Sequence, residues 1–519
     1  MPKEREDVET KSSDSPEVYQ QPKFMAWFEK AFPWLLVGGA ALGLVLMIFL
    51  PVIFFQEKTA EQLLAQSNLR LALLYTTGGA IAAFGLLETY RKNTNDRAKA
   101  NADINAALKN QEHQAEVLKE QIRQFDENAF KDRKAERRER YTKAVEQLGD
   151  EKAPIRMGGV YALVGLVDEW LEEKSLSDDE RFKEGQVIIN NLCAYIRSPF
   201  TLASHYDELS EDAPSLEGIY KDKKEEFYVD KAILDSEADV RLSIIKEIHD
   251  RIQGPDKNTP GAWSDFEYDF SGSTFFYPID LTNSYYAKPI NFSGSTYQAL
   301  AYFTDSTYQG WANFSSSTYQ ALAYFTDSTY QGWANFSSST YQGWANFSSS
   351  TYEGEANFSD STYEKDVTFS TPIFRSTYVG EANFSSSTYQ GWANFTDSTY
   401  QEGADFSRSI FYSETYFGKG KYSNSSSCFT NRAPQFYDKK KRKNTLFGSP
   451  NNDFTVDIDK GYPINLNSEG LPLDCKFLTS EQKEYLEGKF QEIEKINNEL
   501  LKVKDPEEKE ELSKKLQAL

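Results

Sequence analysis

Aromatic residues recur at a fixed interval along the chain from about Phe270 to Phe417. Phenylalanine returns every 11 residues, and a tyrosine follows five positions after each of these phenylalanines except the last. The phenylalanines are Phe292, Phe303, Phe314, Phe325, Phe336, Phe347, Phe358 and Phe369, and the tyrosines are Tyr297, Tyr308, Tyr319, Tyr330, Tyr341, Tyr352 and Tyr363. So strict a period is typical of stacked copies of one small unit, each of which contacts mainly its neighbours.

The unit from Ala334 to Trp344 alternates in the manner of short strands joined by turns. Phe336 and Tyr341 are predicted to point inward, while their immediate neighbours are polar and suit outward positions. A small residue lies two positions before each ring, as a tight corner requires. Ser, Thr, Asn and Gly dominate the unit, and no helical period is present, so we exclude a helix.

The five-residue pieces ANFSS and STYQG resemble pentapeptide repeats, whose pattern A(D/N)(L/F)xx implies a right-handed four-sided β-helix. The departure is one additional residue per two pentapeptides, which we interpret as a bulge at a corner, giving about 22 residues per coil. This residue is Leu300, Trp311, Leu322, Trp333, Trp344, Glu355, Asp366, Glu381 or Trp392 in successive units. Residues 296–317 recur unchanged as 318–339, as duplication of a whole coil predicts.

We place the β-helix at residues 266–423, where about seven coils at ~4.8 Å predict a rod roughly 34 Å long. The rhythm slips between Phe369 and Tyr378, and Pro372 is expected to interrupt strand pairing there. On a 22-residue coil, Leu300, Leu322 and Trp344 would stack along one corner, and Trp311 and Trp333 along the opposite corner. With Trp392, these residues are the candidate interaction surface. The alternative is that they fold over the corners and cover the aromatic interior.

Two uncharged stretches near the N-terminus predict two transmembrane helices, at residues 33–56 and 70–90. The first contains 22 consecutive residues without a charge, whereas the second is at the lower limit for a span. Residues 57–69 form the predicted short extracytoplasmic loop, and residues 1–32 a disordered juxtamembrane tail. Lys and Arg flank the outer ends of both stretches, which predicts a cell-membrane protein with both termini in the cytoplasm. Gly39 and Gly43 form a G-x-x-x-G pattern that suits packing within the chain or between copies.

The segment 91–131 lacks Gly and Pro and is predicted to be a helical stalk. Its apolar residues alternate at spacings of four and three, which is compatible with a coiled coil. They are Ile104, Leu108, Ala115, Leu118, Ile122, Phe125 and Ala129, with Gln111 in one slot. The seam indicates either homo-oligomerisation of a tethered protein or one amphipathic helix packed on its own domain.

Residues 132–255 are predicted to form a helical-repeat domain, because residues 153–166 and 238–251 share a short pattern of Ile or Val, then Arg, then Met or Leu. The mixed-sign run 131–143 is typical of a solvated helix face. This region also resembles the helical segment of bacterial membrane-anchored pentapeptide-repeat proteins, which begin with two spans. That resemblance implies an architecture and no particular activity.

Residues 424–476 are predicted to be irregular and to contain a basic cluster, and residues 477–519 to be helical. The cluster is a candidate contact with anionic lipid. Its members are Lys439, Lys440, Lys441, Arg442 and Lys443. Thr479 and Gln482 have the spacing of a capping box, and Asp505-Pro506 suits the start of a second helix. This hairpin could seal the open end of the solenoid or recruit a partner helix.

Composition argues against several function classes. The net charge of −22 disfavours binding to nucleic acid, and the three Cys and three His residues form no metal-ligand pattern. Phosphate-loop, nucleophile-elbow and zinc-protease motifs are absent from the sequence, so we expect neither an enzyme nor a cofactor. Some soluble pentapeptide-repeat proteins imitate DNA and occupy a topoisomerase, but residues 266–422 are only mildly acidic, with 15 Asp and Glu against 6 Lys and Arg.

The predicted fold class is therefore α+β: two transmembrane helices, a helical stalk, a helical-repeat domain, a β-helix and a C-terminal helical hairpin. The predicted function is a membrane-tethered scaffold that presents a β-helical surface to a protein partner. Regulation of a topoisomerase by DNA mimicry is the first alternative, and an enzymatic activity in the helical domain is the second.

Overall fold

The computed structural model describes residues 23–55, 59–216, 218–370, 375–418 and 425–500, together with residues 503, 508, 511, 512 and 515. The chain divides into two compact units, Met1–Asn128 and Ala129–Leu519. The helices are α1 (Lys23–Phe54), α2 (Ala60–Leu148), α3 (Ala153–Leu171), α4 (Asp178–Arg197), α5 (Tyr206–Leu209), α6 (Lys224–Ile252) and α7 (Ser480–Leu500), and Thr201–His205 forms a 3₁₀ helix.

The first unit is a helical hairpin whose two helices approach closely at a glycine. A Cβ atom added at Gly43 would lie 2.5 Å from the Cγ2 atom of Thr77, whereas nothing lies within 4 Å of the same position at Gly39. The rings of Phe32 and Phe84 meet edge to face with their centroids 6.5 Å apart. Packing against α2 therefore explains why a glycine is needed at position 43, whereas no neighbour within the chain requires a glycine at position 39.

Both helices of the hairpin contain a stretch that is long and apolar enough to cross a membrane, which in α1 is Lys30–Phe54. Helix α2 begins at Ala60, so residues 60–69 of the predicted loop at 57–69 are helical. Residues 60–69 contain Ala, Glu, Gln and Leu and neither Gly nor Pro, so they continue the helix. Although its apolar stretch contains Gly78, Gly79 and Gly85, α2 runs without interruption for 89 residues and ends just before Gly149.

The helical part of the second unit is built around a buried charge cluster. Arg156 on α3 and Arg241 on α6 occupy the same place in the two similar sequence patterns, and both bind Glu237. The guanidinium groups lie 3.1 Å and 2.8 Å from the carboxylate oxygens. Arg241 also donates to the backbone oxygens of Ile196 and Ser198 at the end of α4. Arg156 from α3 and Arg241 from α6 thus meet at the carboxylate of Glu237, and Arg241 connects this cluster to the end of α4.

The basic run at 131–143 is not merely a solvated face, as the sequence suggested. Arg137 pairs with Glu173 at 2.9 Å, and both side chains are largely buried. Its guanidinium also lies 4.7 Å from the centre of the Trp170 ring, and Arg140 forms a bidentate pair with Glu169. The end of α2 is therefore clamped to α3 by ion pairs that a one-dimensional charge pattern does not reveal.

The rest of the second unit is a parallel β-solenoid of about seven turns with four sides, named A to D in chain order. Equivalent residues of adjacent regular coils pair 22 positions apart, as Thr318 does with Thr340. Most strands contain only two residues, because each side of the coil is only that long. This arrangement confirms the predicted repeat and coil length.

The strands of the four sides follow. Side A contains Tyr268–Asp269, Ile290–Asn291, Ala312–Asn313, Ala334–Asn335, Ala356–Asn357, Glu381–Asn383 and Gly403–Asp405. Side B contains Thr274–Phe275, Thr296–Tyr297, Thr318–Tyr319, Thr340–Tyr341, Thr362–Tyr363, Thr388–Tyr389, Ile410–Phe411, Leu446–Phe447 and Lys476–Phe477. Side C contains Ile279–Asp280, Ala301–Tyr302, Ala323–Tyr324, Ala345–Asn346, Val367–Thr368, Ala393–Asn394 and Thr415–Tyr416. Side D contains Tyr285–Tyr286, Thr307–Tyr308, Thr329–Tyr330, Thr351–Tyr352, Thr377–Tyr378, Thr399–Tyr400 and Cys428–Phe429.

Four columns of stacked aromatic rings fill the interior. Phe336 lies 5.1 Å from Phe314 and 5.0 Å from Phe358, with the three rings nearly parallel. Tyr341 stacks in the same way on the tyrosines of the coils before and after it, at 4.8 Å and 4.9 Å. Rings of neighbouring columns meet edge to face, as Phe336 and Phe347 do at 5.2 Å. Phe336 and Tyr341 are at most 1% exposed, which confirms the predicted inward positions.

The corners between sides A and B and between sides C and D turn through one residue in the left-handed region. At Ser338, for example, φ is 57°. The next residue, Ser339, is buried and bonds to neighbouring coils through its hydroxyl. That hydroxyl donates to the backbone oxygen of Phe314 and accepts from the backbone N–H of Ser317, at 3.2 Å each. The buried serine therefore pairs backbone groups that a sharp turn would leave unsatisfied.

The regular stacking of coils continues after the irregular sequence that follows Phe369. Residues 371–374, which include the predicted break at Pro372, lie outside the described residues. Beyond them Thr377 pairs with Thr351, and Tyr378 stacks on Tyr352 at 4.8 Å. This coil is 26 residues long instead of 22. The ring columns therefore continue across an insertion at one corner.

The solenoid also extends beyond the predicted boundary at residue 423. Phe429 stacks on Tyr400 at 4.8 Å, and Phe447 stacks on Phe411 at 5.1 Å. Lys476–Phe477 adds a further strand to side B. The predicted irregular segment 424–476 thus contains another partial coil, in which Phe429 and Phe447 lie 29 and 36 residues after their stacking partners instead of 22.

The first coil packs against the helical domain. Phe182 on α4 meets Phe266 edge to face at 5.4 Å, and Phe200 stacks on Phe276 at 5.4 Å. Arg197 at the end of α4 binds the carboxylate of Asp269 at 2.6 Å. These contacts cover the open edge of the first strands, which would otherwise expose unpaired backbone groups.

Two substitutions of one interior tyrosine should show whether its ring packing or its hydroxyl group contributes to the stability of the fold. We expect Tyr341→Ala to lower the free energy of unfolding by about 3–5 kcal/mol, because it leaves a cavity within a ring column. Tyr341→Phe should cost almost nothing, because no described group hydrogen-bonds to this hydroxyl and Phe275, Phe411 and Phe447 fill the same column. Urea denaturation of the full chain in detergent measures both. An equal loss in the two variants would contradict the packing account.

The clamp between α2 and α3 predicts a pH dependence. Hydrogen bonds from Ser175 and Arg137 lower the pKa of Glu173 to about 2. Because the carboxyl group titrates at about 4.3 in the unfolded chain, its contribution to stability is fully present above that pH and is lost as the pH falls towards 2. Glu173→Gln should therefore cost about 1–3 kcal/mol at pH 6 and much less at pH 2.5. Substitution of the exposed neighbour, Glu172→Gln, is the control. If Glu173→Gln destabilises the protein as much at pH 2.5 as at pH 6, the lowered pKa of Glu173 is refuted.

Candidate docking surfaces of the solenoid

The extra residue of each 11-residue unit lies at the two remaining corners of the coil. Trp311 and Trp333 precede side A, whereas Leu300, Leu322 and Trp344 precede side C. The two groups therefore occupy opposite corners, as the 22-residue coil predicted. Trp392 belongs to the side C corner, where Asp366 separates it from Trp344 and accepts its backbone N–H at 3.0 Å.

The tryptophan pair at the side A corner is the most exposed aromatic feature of the regular coils. The rings of Trp311 and Trp333 stack at 5.4 Å and 6°, and each side chain is 39% exposed. The side C corner differs, because Leu300, Leu322 and Trp344 are half-buried. The opposite corners therefore present unequal amounts of apolar surface, and the structure places neither set wholly over the interior.

Two outward tyrosines extend the apolar surface onto side C. Tyr302 and Tyr324 stack at 5.1 Å and 5°, and Trp344 meets Tyr324 edge to face at 5.7 Å. Sequence reasoning missed both tyrosines, although the signal was present. The unit reads AYF at these two places, whereas it reads ANF at the corresponding place before Phe347.

Helix α7 lies along the outside of side B rather than over the end of the solenoid. It begins at the predicted capping box, in which the Thr479 hydroxyl accepts from the Gln482 backbone N–H at 3.2 Å. Phe490 meets Tyr412 edge to face at 5.4 Å, and the Tyr412 hydroxyl donates to Glu487. The predicted second helix at Asp505-Pro506 lies outside the described residues.

The direction of α7 follows from Lys483, whose ammonium group donates to the backbone oxygen of Gly448 at 2.6 Å, one coil beyond Tyr412 on side B. Burial raises the pKa of Glu364, and the charge of Glu494 contributes to the same shift. Glu364 lies two coils before Tyr412, which α7 meets near Glu487. Seven helical residues span about 10 Å, close to the height of two coils. Helix α7 therefore runs back along side B towards earlier coils, and Ile496 on it is buried.

The basic cluster forms the tip of a small hairpin. Tyr437–Asp438 pairs with Lys443–Asn444 in an antiparallel ladder, and residues 439–443 are exposed. The Asp438 carboxylate accepts the backbone N–H groups of Lys440 and Lys441 and binds Arg408 at 3.1 Å. Asp438 thus stabilises the turn, while the basic side chains of the cluster lie in solvent. A contact of this cluster with anionic lipid stays a prediction.

A shallow groove lies between α3 and α6 on the helical domain. Glu151, Arg156 and Glu237 line it together with apolar residues of α6. Its charged groups are held by one another and by the backbone, because Arg156 donates to the oxygens of Asp150 and Glu151 and pairs with Glu237. Among the described residues, His, Cys, Asp and Glu form no group that could hold a metal ion.

All three cysteines lie inside the protein. Cys193, Cys428 and Cys475 are buried and unpaired with one another. Burial raises the pKa of Cys193 and of Cys475 to about 12. Because the thiolate is the reactive form, thiol chemistry in solution should spare these two residues.

The fold and its surface define a β-solenoid repeat protein that has a helical N-terminal region with two apolar helices. Such a fold suits a scaffold or a binding module, since long flat sides offer surface rather than an enclosed pocket. Comparison with protein-family models, curated proteins and solved structures finds no match for this chain.

Proposed function

We propose that the chain is a non-enzymatic scaffold anchored in a bacterial cell membrane, whose solenoid binds a protein partner in the cytoplasm. The stacked pair Trp311 and Trp333 is the main support for a binding role. Tryptophan is enriched at the centres of protein interfaces, and here two rings are held rigidly at 39% exposure on a repeating scaffold. The ANFSS and STYQG pieces support placing the chain with pentapeptide-repeat proteins.

Membrane anchoring is supported by the surface of the first unit. In the apolar stretch of α1 only 11% of the residues are buried within the protein, and in that of α2 none are. Large apolar side chains such as Trp34, Leu42 and Leu86 are instead exposed around the hairpin. Water would make such a surface costly, whereas a bilayer would cover it. The flanking Lys and Arg residues favour cytoplasmic termini.

DNA mimicry has less support. The solenoid carboxylates are dispersed over different sides and corners, as Asp269 on side A, Asp327 at a corner beside side D and Glu364 on side B illustrate. Imitation of a duplex needs rows of negative charge at regular spacing. We therefore favour a protein-binding surface over this alternative.

The proposed topology can be tested with engineered thiols, because the native cysteines are buried. Thr59→Cys lies between α1 and α2, and Lys99→Cys lies in the exposed part of α2. A membrane-impermeant maleimide should label position 59 in intact cells and position 99 only after permeabilisation. The reverse pattern would invert the topology, and labelling of both positions in sealed cells would refute anchoring.

The binding surface can be tested by removing the tryptophan pair. A labelling enzyme fused at the C-terminus should mark a set of neighbouring proteins in cells. We expect the double change Trp311→Ser and Trp333→Ser to reduce at least one neighbour by about tenfold or more. The matched control is Gln309→Ser with Gln331→Ser, since these exposed residues lie two positions away on side D. An unchanged set of neighbours in the tryptophan variant would contradict this surface.

A further inference from the structure

The exposed part of α2 carries an uncovered apolar stripe. Five large apolar residues between positions 104 and 125 are 51–74% exposed, and they lie on one face of the helix. They are Ile104, Leu108, Leu118, Ile122 and Phe125. An isolated helix gains most of its stability from burying such a face, so a stripe of this length in water calls for a partner.

The spacing of the stripe defines a heptad register. Leu108, Ala115 and Ile122 occupy the a positions, and Ile104, Gln111, Leu118 and Phe125 occupy the d positions. One heptad earlier, the a position holds Asn101, which is exposed. A single buried Asn at a is a known means of fixing the register and number of strands in a coiled coil.

The charged pairs of this region lie away from the stripe. Arg123 binds Glu120 at 2.7 Å and Glu127 at 3.4 Å. In the same register these residues are at b and f, which face away from a coiled-coil partner. The g positions, Ala107, Gln114, Gln121 and Asn128, carry no charge, so parallel strands would bring no like charges together.

A second copy of this chain matches these features best. In a parallel, in-register pair each seam residue meets its own counterpart, so Leu118 faces Leu118 and Asn101 faces Asn101. Two copies in one bilayer have their stalks aligned in the same direction at the same height. The parallel orientation thus rests on the proposed anchoring, whereas the need for a partner rests on the exposed stripe alone.

We propose that residues 101–129 of α2 form a parallel two-stranded coiled coil with the same segment of a second copy. The membrane-anchored protein is then a dimer, and it presents its repeat surface twice. A partner that engages both copies gains avidity without any further contact within one solenoid.

Disulfide cross-linking of the full chain in native membranes tests the pair. Ala115→Cys at a and Leu118→Cys at d should form a disulfide-linked dimer under mild oxidation, because each thiol faces its counterpart. Glu116→Cys at b and Glu120→Cys at f are the matched controls and should give at least about fivefold less dimer. The wild-type chain supplies the background, since its own cysteines are buried.

Two results would overturn the proposal. One is equal cross-linking at all four positions, which indicates random collision, and the other is a seam product that contains a different protein. Extraction of membranes at high pH tests the membrane anchoring separately, because release of the chain would contradict anchoring whatever the cross-linking shows.

Two further variants test the seam. Loss of the Leu118→Cys dimer on adding Ile122→Glu, but not on adding Glu120→Ala, would support it. Asn101→Val should shift the mass of the oligomer from that of a dimer towards that of a trimer or tetramer. An unchanged oligomer mass would contradict a role of Asn101 in fixing the number of strands.

Discussion

The structure of the solenoid depends on the agreement between two spacings. Parallel strands of a sheet lie about 4.8 Å apart, and stacked aromatic rings also prefer separations of this order. In the regular coils the stacked rings are 4.5 Å apart at the closest, between Tyr297 and Tyr319, and 5.4 Å apart at Phe347 and Phe369. Each added coil therefore continues the backbone ladder and the ring columns together. A unit that lost either one would not stack on its neighbours.

Once the rings occupy the interior, the corners must be tight, and their chemistry follows. A left-handed residue such as Ser338 turns the chain, and a buried serine such as Ser339 supplies bonds to the neighbouring coils. Asn335 adds a local bond, because its side-chain oxygen accepts the backbone N–H of Ser337 at 3.1 Å. The small polar residues that dominate the repeat are therefore structural. Their abundance carries no information about binding.

The sequence predicted the solenoid well because a large aromatic ring returns at a fixed interval at the inward positions of the regular coils. It did not predict the last partial coil, since Phe429 and Phe447 follow their stacking partners after long loops that hide the period. Nor could it predict that Arg156 and Arg241 meet at Glu237, because that meeting depends on how three helices pack. Among the surface residues, the corner positions were predicted, while Tyr302 and Tyr324 were missed because tyrosine was assigned to the interior.

A regular solenoid poses a problem for specific recognition, because a partner bound to identical units could shift by one coil at little cost. Residues that interrupt the repeat remove this degeneracy. Trp311 and Trp333 are followed at the same corner by Glu355 and Glu381, so the apolar stretch ends after two coils. On side B, α7 covers later coils such as that of Tyr412. The irregular positions, rather than the repeated ones, therefore distinguish one coil from the next along the solenoid.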